Sequence, residues 1–292
     1  MKLAAIDIGS NAARLLITEV TTDSHNEPVF NKLNLIRVPL RLGFEVFETG
    51  FISREKTGML LQTMKAFKHL INAYGVSHVK ACATSAMRDA KNSNDLIRKV
   101  KLETDIAIEV ISGDAEAGLV FENHIAETLD KDHSYMYMDV GGGSTELSFF
   151  SNGKLIFKES FNIGTIRLLQ QQVNDKTWEQ MKEVIKTVTK GQKEVVAIGS
   201  GGNINKVFSM SKRKDGKPLT LELLKDYHKE LSSVNLEDRI RLYSLRADRA
   251  DVIVPALQIY INAMRWANAT DMYVPKIGLV DGLVRNMWDN LK

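Results

Sequence analysis

The stretch Tyr135–Phe150, YMYMDVGGGSTELSFF, constrains this chain most, because an apolar run closes on Asp139, three glycines follow, and a second apolar run returns after a Ser-Thr pair. No helical period follows the glycines, so the pattern predicts strand, tight glycine loop, strand. Gly141, Gly142 and Gly143 carry no Cβ, which lets their amides approach an anion, and Ser144 and Thr145 add hydroxyl donors. Asp139 falls at the strand end, where a carboxylate can hold Mg²⁺ directly or through water. A glycine-rich surface turn has the same local composition.

The N-terminus, MKLAAIDIGSNAARLLITEV, carries a second copy: an apolar run, Asp7, Gly9, Ser10, Asn11, then Leu15-Leu16-Ile17 as the returning strand. Two Asp-x-Gly hairpins suggest a duplicated domain with a phosphate-bearing ligand between the halves. Neither copy is a P-loop or a dinucleotide fingerprint, since both of those need glycines that open a helix at other spacings.

Length and composition agree. A chain of 292 residues is comfortable as two units, and 44% hydrophobic with 26% charged residues is ordinary for a soluble globular protein. No apolar run approaches membrane-spanning length, and the first residues enter a strand directly, so a cytoplasmic protein without a membrane partner is expected. The lone Cys82 cannot form an internal disulfide and reads as a small buried hydrophobe. A net charge of +3, from 39 basic against 36 acidic residues, is too near balance for a nucleic-acid polymer as partner. The six histidines show no metal-ligand spacing, which argues against zinc chemistry.

In chain order, Val29–Leu42 reads as a strand and Arg54–Tyr74 as a helix capped by Ser53 and stopped by Gly75. Val79–Thr84 is a strand, followed by a loop, ATSAMRDAKN (83–92), leading to a helix over Asp95–Glu103. Arg88 in that loop is either an ordinary surface arginine or a guanidinium offering paired donors to phosphate oxygens. Ile106–Ile111 is a strand, and a helix capped by Ser112 or Asp114 runs to about Leu129. Glu116 in its first turn reads as a capping-box residue, as a carboxylate aimed at water, or as both.

Composition turns polar near His124–Asp132, giving domains 1–126 and 127–292, with a closing helix that can pack back on the first. The second half continues with a strand over Lys154–Phe161, a helix from Asn162–Thr165, and a lysine-rich helix over Lys176–Lys190 whose lysines read as a solvated face. Gly199–Asn203 is a third glycine loop, placing Gly201 and Gly202 before a helix near Asn205, an arrangement that receives anions. Lys212–Lys217 reads as a basic loop. Helices follow over Thr220–Ser232, Leu236–Tyr243 and Val252–Met264, then a strand near Asp271–Val274 and the closing helix.

The blocks DIGSNAARLL (7–16), RLG (41–43), ATSAMRDAKN (83–92), ISGDAEAGLVF (111–121), DVGGGSTE (139–146), GSGGN (199–203) and RADVIVPAL (249–257) together resemble the exopolyphosphatase and guanosine pentaphosphate phosphatase (Ppx/GppA) family of the actin-like ATPase superfamily. The resemblance implies an α/β fold of two ribonuclease-H-like domains, each a mixed sheet flanked by helices, with the site in the cleft between them. It assigns Asp7, Gly9, Ser10, Asn11, Arg88, Gly141, Gly142, Gly143, Ser144 and Thr145 to phosphate binding. Asp139, with Glu146 and Asp7, becomes the Mg²⁺ site, and Glu116 the general base for the attacking water, assisted by Arg88.

The implied reaction is hydrolysis of the terminal phosphoanhydride of inorganic polyphosphate, releasing orthophosphate. Guanosine pentaphosphate is the nearest alternative substrate; a small-molecule kinase and a non-catalytic sensor of polyphosphate or alarmone are further ones. A homodimer is a family expectation. Longer relatives carry additional C-terminal helical domains, so shorter polyphosphates are the expected preference. Three departures from the family pattern stand out: Ala115 in place of a second Glu, Ala12 in place of Ser, and Val280 in place of the arginine of a G-L-R-E-G block.

Overall fold

The computed structural model describes residues 1–121, 132–192 and 194–291. They fall into two compact units, Met1–Asn123 with Leu279–Lys292, and His124–Gly278. The stretch 122–131, which holds the expected end of the Glu116 helix and most of the expected domain boundary, lies outside the described residues.

In the first unit, β1 (Lys2–Ile8), β2 (Ala13–Thr22), β3 (Pro28–Val38), β4 (His78–Ala83) and β5 (Ile108–Val110) form a sheet of order β3-β2-β1-β4-β5. β1, β2 and β3 are an antiparallel meander, while β4 and β5 run parallel to β1. The two-residue strand period sends Ala4, Ile6 and Ile8 to one face and Leu3 and Ala5 to the other, and both faces are covered. On the first face lie Leu60, Met64, Phe67 and Ile71 of the helix Arg54–Tyr74. Ser53 caps that helix by accepting the Lys56 N–H, and Gly75, at φ 62°, ends it. On the second face lie Leu279, Leu283, Val284 and Met287 of the closing helix Leu279–Asp289.

The second unit repeats this plan. β6 (Ser134–Val140), β7 (Thr145–Ser151), β8 (Lys154–Phe161), β9 (Val195–Ser200), β10 (Leu219–Thr220) and β11 (Asp271–Tyr273) form a sheet of order β8-β7-β6-β9-β11-β10. Directions match strand for strand: β6-β7-β8 is an antiparallel meander, and β9 and β11 continue parallel to β6. Even the irregularities agree, for the β2/β3 ladder slips between Ile17 and Thr18 and the β7/β8 ladder between Phe149 and Phe150, the same offset from Asp7 and Asp139. The helix Ile253–Trp266 buries Ile253, Leu257, Tyr260 and Met264 in the core of this unit.

Several local expectations need correction. The strand expected over Val29–Leu42 stops at Val38, and a helix spans Leu42–Thr49 after Arg41 turns the chain at φ 56°. Arg88 is not in a loop but on the short helix Ser85–Asp89. β5 is shorter than the apolar run Ile106–Ile111, and the helix after the third glycine loop opens at Gly202. None of the described helices is long and apolar enough to cross a membrane.

Candidate active site

The β6–β7 hairpin is closed by the Gly141 N–H donating to the Ser144 carbonyl at 2.9 Å. All three glycine carbonyls are then taken up by one partner. Gly141 accepts from the Thr165 N–H at 3.1 Å, Gly142 from Ile166 at 2.9 Å, and Gly143 from Arg167 Nε at 2.8 Å. A planar trans peptide places its N–H opposite its C=O, so the N–H groups of Gly142, Gly143 and Ser144 are turned the other way as a concave fan suited to an anion. The short helix Thr165–Leu169 thus sets the loop's polarity. It can do so only because residue 164 is glycine: a Cβ there would lie 2.3 Å from the Gly142 oxygen and 2.5 Å from the carbonyl carbon of Gly143.

The hydroxyls beside the loop bond inward. Ser144 donates to Glu146 Oε1 at 2.6 Å and Thr145 to the Ile163 carbonyl at 2.6 Å, and both residues are buried. An anion placed at this hairpin would therefore meet its amides rather than these hydroxyls.

The β1–β2 hairpin has the same construction. Gly9 N–H donates to the Ala12 carbonyl at 3.1 Å, Ser10 O accepts from the Gly43 N–H at 2.8 Å, and Asn11 O from the Arg41 N–H at 2.9 Å. The amides of Asn11 and Ala12 are turned outward by the same peptide geometry. Ser10 and Ser85 share a buried hydroxyl–hydroxyl bond of 2.8 Å, tying the hairpin to the Arg88 helix. Ala12, in place of a family serine, is buried.

Asp7 and Asp139 differ in company. Asp7 is buried and its Oδ2 accepts from Arg14 at 2.6 Å, while Oδ1 has no hydrogen-bond donor. Burial raises the Asp7 pKa above the usual carboxylate value, and the Arg14 charge and hydrogen bond only partly offset it. Across the β6–β7 ladder, Asp139 faces Glu146, which occupies the place of Arg14. Ser144 and Ser160 both donate to Glu146 Oε1, at 2.6 and 2.9 Å, and hold it in one orientation.

Two carboxylates on one face of a strand pair beside a fan of amides fit Mg²⁺, which binds through one or two carboxylates, waters and substrate phosphate oxygens. Among the described residues no cluster of three or more His, Cys, Asp or Glu side chains is placed for a metal ion, so any such ion needs oxygens from water and substrate as well.

In the third loop Gly201 takes φ 116°, which a side chain would resist, and the helix Gly202–Met210 follows directly. The Tyr260 hydroxyl donates to the Ser200 carbonyl and Arg249 to that of Gly202. A Cβ on Gly201 would lie 3.3 Å from Asp139 Oδ1 and 3.3 Å from the Tyr260 hydroxyl, so loop, tyrosine and aspartate form one cluster. Burial and then the Asp139 charge push the Tyr260 pKa well up, so the phenol stays neutral.

Arg88 meets the backbone just ahead of the Glu116 helix at Ile111. Arg88 donates to the Ile111 carbonyl at 2.7 Å, and the Ile111 N–H donates to Ala83 at 3.0 Å, just ahead of the helix Gly113–Phe121. Ser112 Oγ caps that helix by accepting the Ala115 N–H at 3.1 Å. The capping-box position three residues after Ser112 is thus Ala115, and Glu116 lies one residue beyond it. Its Oε2 is buried. The Cys82 thiol, paired in register with Asp7, is raised by burial first and then by the Asp7 and Glu116 charges, so both carboxylates act on the same interior point.

Comparison with known proteins decides what this arrangement belongs to. The model of the Ppx/GppA phosphatase family matches residues 20–291. This chain belongs to the Ppx/GppA phosphatase family. It is 24% identical to exopolyphosphatase 1 of Mycobacterium tuberculosis over 310 aligned residues, covering 99% of this chain and 89% of that one. It is also 34% identical over 189 residues to the bifunctional 3-dehydroquinate synthase/phosphatase of Fusobacterium nucleatum, covering 62% of this chain and only 28% of that longer protein. An exopolyphosphatase structure from Cytophaga hutchinsonii superposes with TM-score 0.85 at 25% identity, over 100% of this chain and 99% of the other. The Ppx/GppA family member of Aquifex aeolicus gives 0.77 at 25% identity with the same coverage. The fold is the two-domain actin-like ATPase fold, with mixed sheets flanked by helices.

Within this family site, sequence reasoning passed over Arg14, Arg167, Arg249 and Tyr260. Arg14 was within reach, because a hairpin that pairs Ile8 with Ala13 pairs Asp7 with Arg14. Tyr260 gave no signal, being one apolar residue among many on a buried helix. Val280 is buried against Cys82 and Leu283 in the closing-helix core, and the adjacent Asp281 pairs with Lys32 at 2.6 Å.

Proposed function

We propose that this Ppx/GppA phosphatase hydrolyses the terminal phosphoanhydride of inorganic polyphosphate. The observation that carries the reading is the repeated hairpin whose carbonyls are held from behind, so that its amides face outward as ready anion donors. Phosphoryl transfer needs charge neutralised on the transferring group and a nucleophile held in line, and little covalent help. The hairpin amides and the remaining N–H groups of Arg88 supply fixed positive poles. Glu116 takes a proton from water as its oxygen attacks the terminal phosphorus; the bridging P–O bond breaks, and orthophosphate and a chain one unit shorter depart. Asp139 and Glu146 would hold Mg²⁺, which when bound neutralises phosphoryl oxygens.

The test is orthophosphate release from polyphosphate, guanosine pentaphosphate and ATP, each with and without Mg²⁺. Mg²⁺-dependent release from polyphosphate above the other two supports the reading. Release from guanosine pentaphosphate with polyphosphate inert would move the assignment to a nucleotide phosphohydrolase, and binding without release would make the protein a sensor. A series of chain lengths in the same assay tests the preference for shorter polymers.

A further inference from the structure

The lysine-rich helix Asp175–Thr189 has a feature that a solvated face does not explain. Lys182, Lys186 and Lys190 recur every fourth residue, and together with Arg265 and Trp266 from the end of the helix Ile253–Trp266 they line one open cavity of ≈ 870 Å³. Lys182 is held by Glu179 at 2.9 Å, whereas among the described residues Lys186, Lys190 and Arg265 are in no ion pair. Like charges one turn apart are unfavourable on an isolated helix, and here a fourth cation, Arg265, is added from a second helix. Basic residues in a last helical turn do complement the backbone dipole. That accounts for Lys186 and Arg265 singly, but not for their convergence on a concave surface with a tryptophan in its wall.

The cavity is remote from the glycine loop of the β6–β7 hairpin. Gln192 in its lining accepts from Ser151, and Ser151 pairs with Ser134 at the start of β6, the end of the strand away from Asp139. At about 3.3 Å per residue Ser134 and Asp139 are separated along β6 by roughly 17 Å. Trp266 is braced edge-on by Trp178, with ring centroids 5.9 Å apart, so the wall is fixed.

We infer that this cavity is a second binding site for a chain of linked phosphates, gripped by Lys182, Lys186, Lys190 and Arg265 at the end of β6 away from Asp139. Lys182 and Lys186 one turn apart on the helix, with Lys190 just past its end, suit a linear polyanion better than a single phosphate. The ligand class follows from the polyphosphate reading above; the site itself follows from the cavity.

Tryptophan fluorescence of the full-length protein, titrated with tripolyphosphate at low salt, tests the site directly. Lys186→Ala/Lys190→Ala/Arg265→Ala is expected to weaken the saturable signal about tenfold or more, and Lys186→Arg/Lys190→Arg to preserve it. In turnover, the alanine variant should raise KM for long-chain polyphosphate with kcat unchanged and leave tripolyphosphate hydrolysis intact. Tighter binding of long-chain polyphosphate assigns the cavity to the inorganic polymer, and tighter binding of a guanosine polyphosphate assigns it to a nucleotide-borne chain. No saturable signal in the parent, or an equal one in a folded alanine variant, overturns the site. Fluorescence binding without any polyphosphate hydrolysis would sink the catalytic reading and leave the cavity standing.

Discussion

Arg14 and Glu146 occupy the same place in two copies of one hairpin, each directly across the ladder from an aspartate, and they carry opposite charge. The backbones match to the turn hydrogen bond and the ladder slip, so the divergence is electrostatic. The first hairpin pairs its own buried aspartate with a cation, whereas the second sets two acids side by side across the ladder.

Glu146→Gln is therefore expected to raise the Mg²⁺ concentration for half-maximal orthophosphate release by about 10- to 100-fold, the range for residues that orient or supplement a metal ligand. The Gln side chain keeps the bonds to Ser144 and Ser160, which protects the loop. An unchanged Mg²⁺ titration would remove Glu146 from the metal site.

Asp7 carries a pH signature. Its pKa in the folded protein is raised by burial above the ordinary 3.8, so the folded state holds this proton more tightly than the unfolded chain. The associated stability is fully present below about pH 3.8 and is lost as pH rises through the folded value. Asn at this position cannot ionise. The thermal midpoint of Asp7→Asn relative to wild type should thus climb with pH across that window, and a difference that stays flat or shrinks would contradict the burial argument. Arg14→Leu should act oppositely, destabilising by about 1–3 kcal/mol at neutral pH because a buried carboxylate loses its donor.

Much of this fold was legible because the strands of both sheets are short apolar runs punctuated by glycine. Lys154–Phe161 and Leu236–Tyr243 fall where the pattern put them, and the two Asp-x-Gly hairpins betrayed the duplication. The helix Leu42–Thr49 was missed because Arg41 has a positive φ that no glycine or asparagine advertised. The short helix around Arg88 was hidden by small residues that read equally well as loop. The loop support was illegible for a different reason: Gly164 matters through what lies against it, and a sequence shows no contacts across a fold.

Gly164→Ala provides the contrast with an open glycine. A methyl 2.3–2.5 Å from the Gly142–Gly143 backbone must displace the loop, and activity should fall by about 100-fold, the effect expected of a roughly 1 Å misplacement. Gly58 lies inside the helix Arg54–Tyr74 with nothing within 4 Å of its would-be Cβ. Gly58→Ala should stabilise by about 0.5–1 kcal/mol without touching turnover. Paired melting and rate measurements check both, and equal behaviour of the two variants would mean that the loop does not depend on this close approach.

Glu116→Gln tests the proposed base. Ser112 and Ala115 already provide the helix cap, so the substitution leaves the N-terminus of Gly113–Phe121 intact and its thermal midpoint close to wild type. Orthophosphate release should drop by about 10²–10⁴, the usual contribution of a positioned acid-base group. Polyphosphate binding should persist, since the hairpin amides are untouched. Near-normal turnover, or a loss of binding equal to the loss of rate, would take Glu116 out of proton transfer and leave it a structural acid beside Cys82.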